Sequence, residues 1–135
     1  MGNFEYGFNS KKQLATVDRR LVRILNHALN YGILDWSIIK GYRGEVEQNE
    51  AFNSGDSKVE YPNSKHNSSP SLAIDFIPHP FRGWDKIHDF VAVAMIILVA
   101  AEELEIPVRW GGMWQGHGPI MPEGAFNDLG HLELV

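Results

Sequence analysis

A run of twelve consecutive apolar residues, from Phe90 to Ala101, is the feature that most constrains the fold of this chain. A helix made of this run is too short to cross a bilayer, which takes roughly 18 to 20 residues, so we expect no stable membrane insertion. The run must instead be covered by other parts of the protein. It predicts a buried helix over residues 85–105, ended by Pro107.

The apolar spacing elsewhere predicts what packs against this helix. Apolar residues at helical spacing indicate a first helix over 11–30, opened by a capping box at Ser10 and ended at Gly32. We expect a helical turn over 45–52, and apolar or β-branched segments predict strands at 36–42, 72–77, 108–110 and 131–135. This order predicts an α+β fold in which two main helices pack on one small, mostly antiparallel sheet.

Length and composition exclude several classes of protein. The chain has 135 residues, enough for one domain, and its 44% hydrophobic content excludes a disordered chain. A net charge of −5 without a basic block predicts no nucleic-acid partner. The absence of cysteine excludes disulfides, thiolate nucleophiles and iron–sulfur clusters. The first ten residues contain no apolar stretch, so we expect no signal peptide and synthesis as a cytoplasmic protein.

Asp75 is the most informative charged residue. It lies within the apolar strand LAIDFI, where the alternation of side chains places Ala73 and Ile77 on its face of the strand. A carboxylate in such a strand is costly to bury unless it meets a cation or several hydrogen-bond donors. The simpler interpretation is a buried ion pair with an Arg or Lys.

Two histidines and a second aspartate offer another interpretation of Asp75. His66 lies nine residues upstream in the loop of 53–71, and loops this long are usually functional or disordered. Asp128 lies three residues before His131, and the glycine between them allows a tight turn. Two imidazoles and one carboxylate, with a further acid nearby, are typical of a catalytic zinc site. The alternative is that both histidines are solvated surface residues.

These motifs resemble the M15 peptidases, the zinc enzymes of peptidoglycan cleavage that include the VanX and VanY enzymes and phage endolysins. The resemblance is carried by Ser64-Lys65-His66, Ala73-Ile74-Asp75 and Asp128-x-x-His131. It extends over nearly the whole chain, since the segment from Phe8 resembles the first helix of phage L-alanyl-D-glutamate endopeptidases and VRWGG resembles their penultimate strand. The implied fold is the one shared by D-Ala-D-Ala peptidases and the hedgehog signalling domain.

The resemblance implies a role for each matching residue. His66, Asp75 and His131 would hold one zinc ion per chain. Asp128 would take the proton of the attacking water and pass it to the leaving amine. Arg43 would orient or polarise the substrate carbonyl. The residues that we expect to contact the substrate are Arg43, Gln48, Ser64 and Trp114.

The spacing of the ligands departs from the family pattern. The usual motif is His-x-x-Gly-x-Ala-x-Asp, whereas here the glycine is missing and eight residues separate His66 from Asp75. Phage members with a similar longer form continue with Pro-x-Pro and Trp-Asp. This chain has both, as Pro78-His79-Pro80 and Trp84-Asp85. We therefore expect the longer loop to leave the site intact.

Two further positions differ or stay open. Met113 stands where the family often has an aspartate, so an auxiliary cation would lack that ligand. Glu133 follows His131 on the same face of the last strand. It is either an alternative ligand or a partner that orients the imidazole.

The resemblance implies a zinc-dependent peptidoglycan peptidase, a phage endolysin that hydrolyses the L-Ala-D-Glu bond of the stem peptide. Two alternatives remain: a D,D-carboxypeptidase or dipeptidase on the same fold, and a non-catalytic zinc-binding module, which would not need Asp128. We expect a monomer with a single catalytic domain over 1–135 and no separate cell-wall-binding domain. Without a signal peptide, such an enzyme would reach the wall from the host cytoplasm after a holin opens the membrane.

Overall fold

A computed structural model describes residues 3–113 and 128–135 of the chain. Its α-helices in these ranges are α1 (Phe8–Leu14), α2 (Arg19–Leu29), α3 (Glu45–Ser54) and α4 (Ile87–Glu103). Its strands there are β1 (Asp35–Lys40), β2 (Ala73–His79), β3 (Val108–Trp110) and β4 (His131–Leu134), and short 3-10 turns span Lys65–Asn67 and Gly111–Met113. The predicted α+β class is confirmed.

The strands form a four-stranded antiparallel sheet in the order β1-β2-β4-β3. β2 therefore lies inside the sheet, paired with β1 on one side and β4 on the other. The β2–β4 register places Asp75 directly opposite His131. Since directly opposed residues of an antiparallel pair share one face of the sheet, both side chains lie on the same side.

The helix α4 packs against α2, β2 and β3, as the apolar run from Phe90 to Ala101 predicts. On β2, Ile74 and Phe76 are fully buried in the core that these helices cover, whereas Asp75 between them is only partly buried. The alternation along β2 therefore gives one face of the strand to the core and turns Asp75 to the other face. Among the described residues, we find no helix both long and apolar enough to span a membrane.

The single helix predicted over 11–30 is wrong, because the chain forms two helices with a break between them. Asp18 caps α2, and its carboxylate accepts a hydrogen bond from the backbone N–H of Arg20 at 2.9 Å. At the break, the backbone of Ser71 bonds to Thr16 and Asp18, at 2.8 and 2.9 Å. The break thus anchors the end of the loop that leads into β2.

The predicted capping box at Ser10 is also wrong. α1 begins at Phe8, and Ser10 is a buried residue within it. Its hydroxyl accepts a hydrogen bond from the backbone N–H of Ile38 at 3.0 Å. Ser10 therefore joins α1 to β1 and does not start the helix. Gly32 has the predicted left-handed conformation, with a φ of 70°, but it is not the cap: α2 ends at Leu29 and its C-cap is Asn30.

Candidate active site

His66, Asp75 and His131 converge on one point at the surface of the sheet. The carboxylate oxygen Oδ1 of Asp75 lies 3.2 Å from Nε2 of His66 and 3.1 Å from Nδ1 of His131. One donor atom from each residue lies within 4.8 Å of the other two, and both imidazoles are buried. The two extra loop residues leave this convergence intact. The three side chains could together hold a metal ion.

Two structural elements bring these side chains together. The register of β2 and β4 places Asp75 and His131 opposite each other, as described above. His66 comes from the 3-10 turn, where the hydroxyl of Ser64 accepts a hydrogen bond from the backbone N–H of His66 at 3.2 Å. The backbone N–H of Leu72 also bonds to the carbonyl of Lys65 at 3.0 Å, which folds the turn back onto the start of β2.

Each imidazole is held through the ring nitrogen that faces away from Asp75. Nδ1 of His66 lies 2.7 Å from the carbonyl oxygen of Gly41, and Nε2 of His131 lies 2.8 Å from Oε1 of Glu133. An acceptor on the far nitrogen keeps a proton there, so the near nitrogen is the one that can give up its proton and bind a metal ion. Of the two roles left open for Glu133, the geometry favours the orienting partner.

Lys65 adds a further contact to Glu133. Its ammonium group lies 3.4 Å from Oε2 of Glu133 and also bonds to the carbonyl of Leu134. The carboxylate of Glu133 therefore lies between a cation and the imidazole of His131, with only 13% of its side chain exposed. This arrangement limits the orientations that the imidazole can take.

The electrostatics of the cluster favour positive charge at its centre. Burial disfavours the charged forms of both Asp75 and His131, but hydrogen bonds outweigh it. Bonds from His131 and His66 hold the pKa of Asp75 well below its usual range, and bonds from Asp75 and Glu133 raise the pKa of His131 to about 9. A bound cation would supply the same positive charge.

Asp128 lies beside the three donors as a separate carboxylate. Its Oδ2 is 4.0 Å from Nδ1 of His131, and 38% of its side chain is exposed. Burial and the nearby charge of Asp75 raise the pKa of Asp128 above its usual value. Gly111 packs so closely on the backbone of Asp128 that a Cβ there would collide with the Asp128 carbonyl. Asp128 is thus positioned by its backbone contacts and keeps its carboxylate available for proton transfer.

Arg43 reaches the other side of the cluster. Its Nη2 lies 3.4 Å from Oδ2 of Asp75, and its Nη1 lies 3.1 Å from Oε1 of Gln48. Its backbone N–H donates to the carbonyl of His66 at 2.8 Å, so the loop that carries His66 also fixes Arg43. The guanidinium therefore sits at a defined place next to the carboxylate that it pairs with.

Gln48 does not reach the cleft, although we expected it to contact the substrate. It is fully buried, and its amide bonds to Arg43, to the hydroxyl of Ser57 and to the carbonyl of Val59. Its position makes it a support for Arg43. Ser64, by contrast, does line the cleft beside His66. Trp114 lies outside the described residues, so its predicted contact stays a prediction.

The cluster lies in a cleft of about 750 Å³. This volume is within the range of sites that enclose a small-molecule ligand. Its lining also includes residues that the sequence did not single out for substrate contact, among them Lys58, Trp84 and Arg109. Trp84 could have been noticed, because it belongs to the Trp-Asp motif that follows Pro-x-Pro. Arg109 likewise belongs to the VRWGG motif, whereas Lys58 carries no pattern in the sequence.

The chain is similar to known peptidases over its full length. The family model described as phage L-alanyl-D-glutamate peptidase matches residues 1–135. The L-alanyl-D-glutamate peptidase of Escherichia phage T5 is 35% identical over 140 residues, covering 98% of this chain and 99% of that protein. The crystal structure of the L-Ala D-Glu endopeptidase ChiX of Serratia marcescens matches with a TM-score of 0.77 and 25% identity, covering 98% of this chain and 90% of that one.

Proposed function

This chain belongs to the phage L-alanyl-D-glutamate peptidase family, and from that membership and the site we propose that it is a zinc-dependent endopeptidase. Its substrate is the peptidoglycan stem peptide, in which it hydrolyses the bond between L-Ala and D-Glu. The observation that carries the proposal is the convergence of His66, Asp75 and His131 beside a separate carboxylate, Asp128. A binding module would need only the first three residues.

The three converging side chains suit zinc. Two imidazole nitrogens and one carboxylate oxygen form a three-ligand set found in catalytic zinc sites, and both imidazoles have acceptors on their far nitrogens. When bound by His66, Asp75 and His131, one zinc ion per chain would supply Lewis-acid chemistry that makes water nucleophilic at neutral pH. The cleft beside them gives a substrate access to these three side chains.

The chain's own residues perform the proton transfers and stabilise the charge. Asp128 removes a proton from the attacking water, and its raised pKa helps it to return that proton to the leaving nitrogen of D-Glu. The C–N bond then breaks and the amine leaves neutral. Arg43, held by Asp75 and Gln48, presents a fixed positive charge to the oxygen of the scissile carbonyl as negative charge develops there.

The remaining parts of the proposal concern substrate contacts and context. Ser64 lines the cleft, and it would contact the stem peptide together with Trp114. We propose that residues 1–135 act as one catalytic domain and as a monomer. The enzyme would reach the wall from the host cytoplasm through the membrane lesion of a holin.

A cleavage assay on purified sacculi tests the proposed function. Zinc-loaded protein should release fragments with a new N-terminal D-Glu, and chelation should abolish this release until zinc is restored. Asp128→Asn should retain about one zinc per chain while losing activity by two orders of magnitude or more. Glu103→Gln, an exposed carboxylate change outside the cleft, is the control and should cleave normally. Release of D-Ala instead would establish the D,D-carboxypeptidase, and zinc binding without cleavage would establish the module.

A further inference from the structure

Trp84 is an exposed tryptophan on the wall of the catalytic cleft. It is 64% exposed, whereas the other tryptophans that the structure describes, Trp36 and Trp110, are buried. It lines the same cleft as His131 and Asp128. An exposed indole loses the hydrophobic free energy that burial would give it, so its position next to a catalytic cluster points to a ligand.

The indole of Trp84 is held in place by its neighbours. It stacks on Phe90 with a centroid distance of 5.7 Å and an interplanar angle of 17°, and Phe81 meets it edge-on at 5.2 Å. Arg82 and Asp89 join the two ends of this segment through hydrogen bonds of 2.7 and 2.9 Å. Phe90 covers one face of the indole, and the exposure of the residue leaves the other face available to a ligand.

Phe90 also connects Trp84 to the catalytic turn. Phe90 is buried, and a Cβ built on Gly130 would lie 3.5 Å from its ring. Gly130 lies between Asp128 and His131 in the chain. The ring that supports the indole therefore lies close to the turn that carries both residues, and the indole lines the same cleft as they do.

We propose that Trp84, supported by Phe90 and Phe81, is a subsite for a sugar ring of the glycan strand, an inference that rests on the proposed function. The amine of L-Ala is joined to the lactyl group of N-acetylmuramic acid, so a sugar lies one residue from the scissile bond. The stem peptide consists of short aliphatic and acidic residues and has no ring. The C–H face of a pyranose is the part of the polymer that matches a flat, exposed indole.

Two substrates separate a sugar subsite from a peptide subsite. One is the disaccharide-tetrapeptide GlcNAc-MurNAc-L-Ala-D-Glu-diaminopimelate-D-Ala, and the other is the same tetrapeptide with an acetylated N-terminus. Trp84→Ala should lower kcat/KM on the first by about 10-fold, which corresponds to about 1.4 kcal/mol, and change it less than twofold on the second. Trp84→Phe, which keeps a flat ring, should retain most of the activity. Phe8→Ala, which removes an 81% exposed aromatic side chain outside the cleft, should affect neither substrate.

The outcomes distinguish this inference from the proposed function. Equal losses on both substrates, or no loss on either, would overturn the sugar subsite while leaving the peptidase intact. If the wild-type enzyme cuts neither substrate between L-Ala and D-Glu, the proposed function fails. In that case, binding of the GlcNAc-MurNAc disaccharide decides: saturable binding that Trp84→Ala abolishes supports the subsite, and no binding to the wild-type protein refutes it.

Discussion

Removing the carboxylate of Glu133 should weaken zinc binding, although none of the three proposed ligands is changed. Oε1 of Glu133 lies 2.8 Å from Nε2 of His131, and the carboxylate is mostly buried and paired with Lys65. Its loss leaves Nε2 without this acceptor, so the orientation of the imidazole is less constrained. Loss of such an orienting partner typically costs 10- to 100-fold in metal affinity, or about 1.4 to 2.7 kcal/mol.

Two substitutions at Glu133 divide this effect into charge and hydrogen bonding. Glu133→Ala removes both and should give the full 10- to 100-fold loss. Glu133→Gln keeps a carbonyl acceptor for Nε2 of His131 but removes the negative charge, so its loss should be smaller. Glu47→Ala and Glu47→Gln are matched controls, because Glu47 is paired with Lys40 but lies at the protein surface. Both controls should bind zinc as the wild-type protein does.

Competition with a chelator of known zinc affinity measures these differences directly. The reasoning is refuted if Glu133→Ala binds zinc within twofold of the wild-type protein, since the orientation of His131 would then not depend on this contact. A loss as large as that of His131→Ala would also refute it, because Glu133 would then be a ligand in its own right. Thermal unfolding of the metal-free variants checks that the folds are comparable.

Two further changes test the positioning of the site and the break between the first two helices. Gly111→Ala should reduce both kcat and zinc affinity, because its Cβ would collide with the Asp128 carbonyl, which accepts a hydrogen bond from the backbone N–H of His131; wild-type values of both would contradict this. Asp18→Ala should lower the free energy of unfolding by about 1 kcal/mol in urea titrations. Hydrogen bonds from Arg20 hold the pKa of Asp18 below its usual value, so this contribution is present above about pH 4 and should vanish as the pH falls through the lowered pKa.

The elements nearest the site could be predicted because their sequence patterns are strong. Asp75 interrupts a strand that is otherwise apolar, and the long apolar run could only be a buried helix. The break between α1 and α2 could not be predicted in this way. Helical spacing of apolar residues continues across the break, at Leu14, Val17 and Leu21. The hydrophobic period therefore gives no sign of the N-cap at Asp18.

The role of Gln48 as a support for Arg43 could not be predicted from the sequence, for a different reason. α3 is mostly polar, and its apolar residues show no helical spacing that would indicate its buried side. Gln48 was therefore expected at the substrate, although the fold turns it inward beneath Arg43. Trp84 likewise belongs to an irregular segment, where exposure depends on tertiary packing and no periodicity applies. Side-chain direction outside regular elements comes from the fold and not from the local pattern.

The pairing of β2 with β4 links metal loading to correct folding. Asp75 and His131 lie directly opposite each other only in the observed register, and a slip by one residue would turn one of them to the helix-covered side. A misaligned chain would thus have no complete site for the ion. An ion that binds only the correctly aligned chain stabilises that chain relative to misaligned ones. Zinc would therefore favour the correct pairing of β2 with β4 during folding.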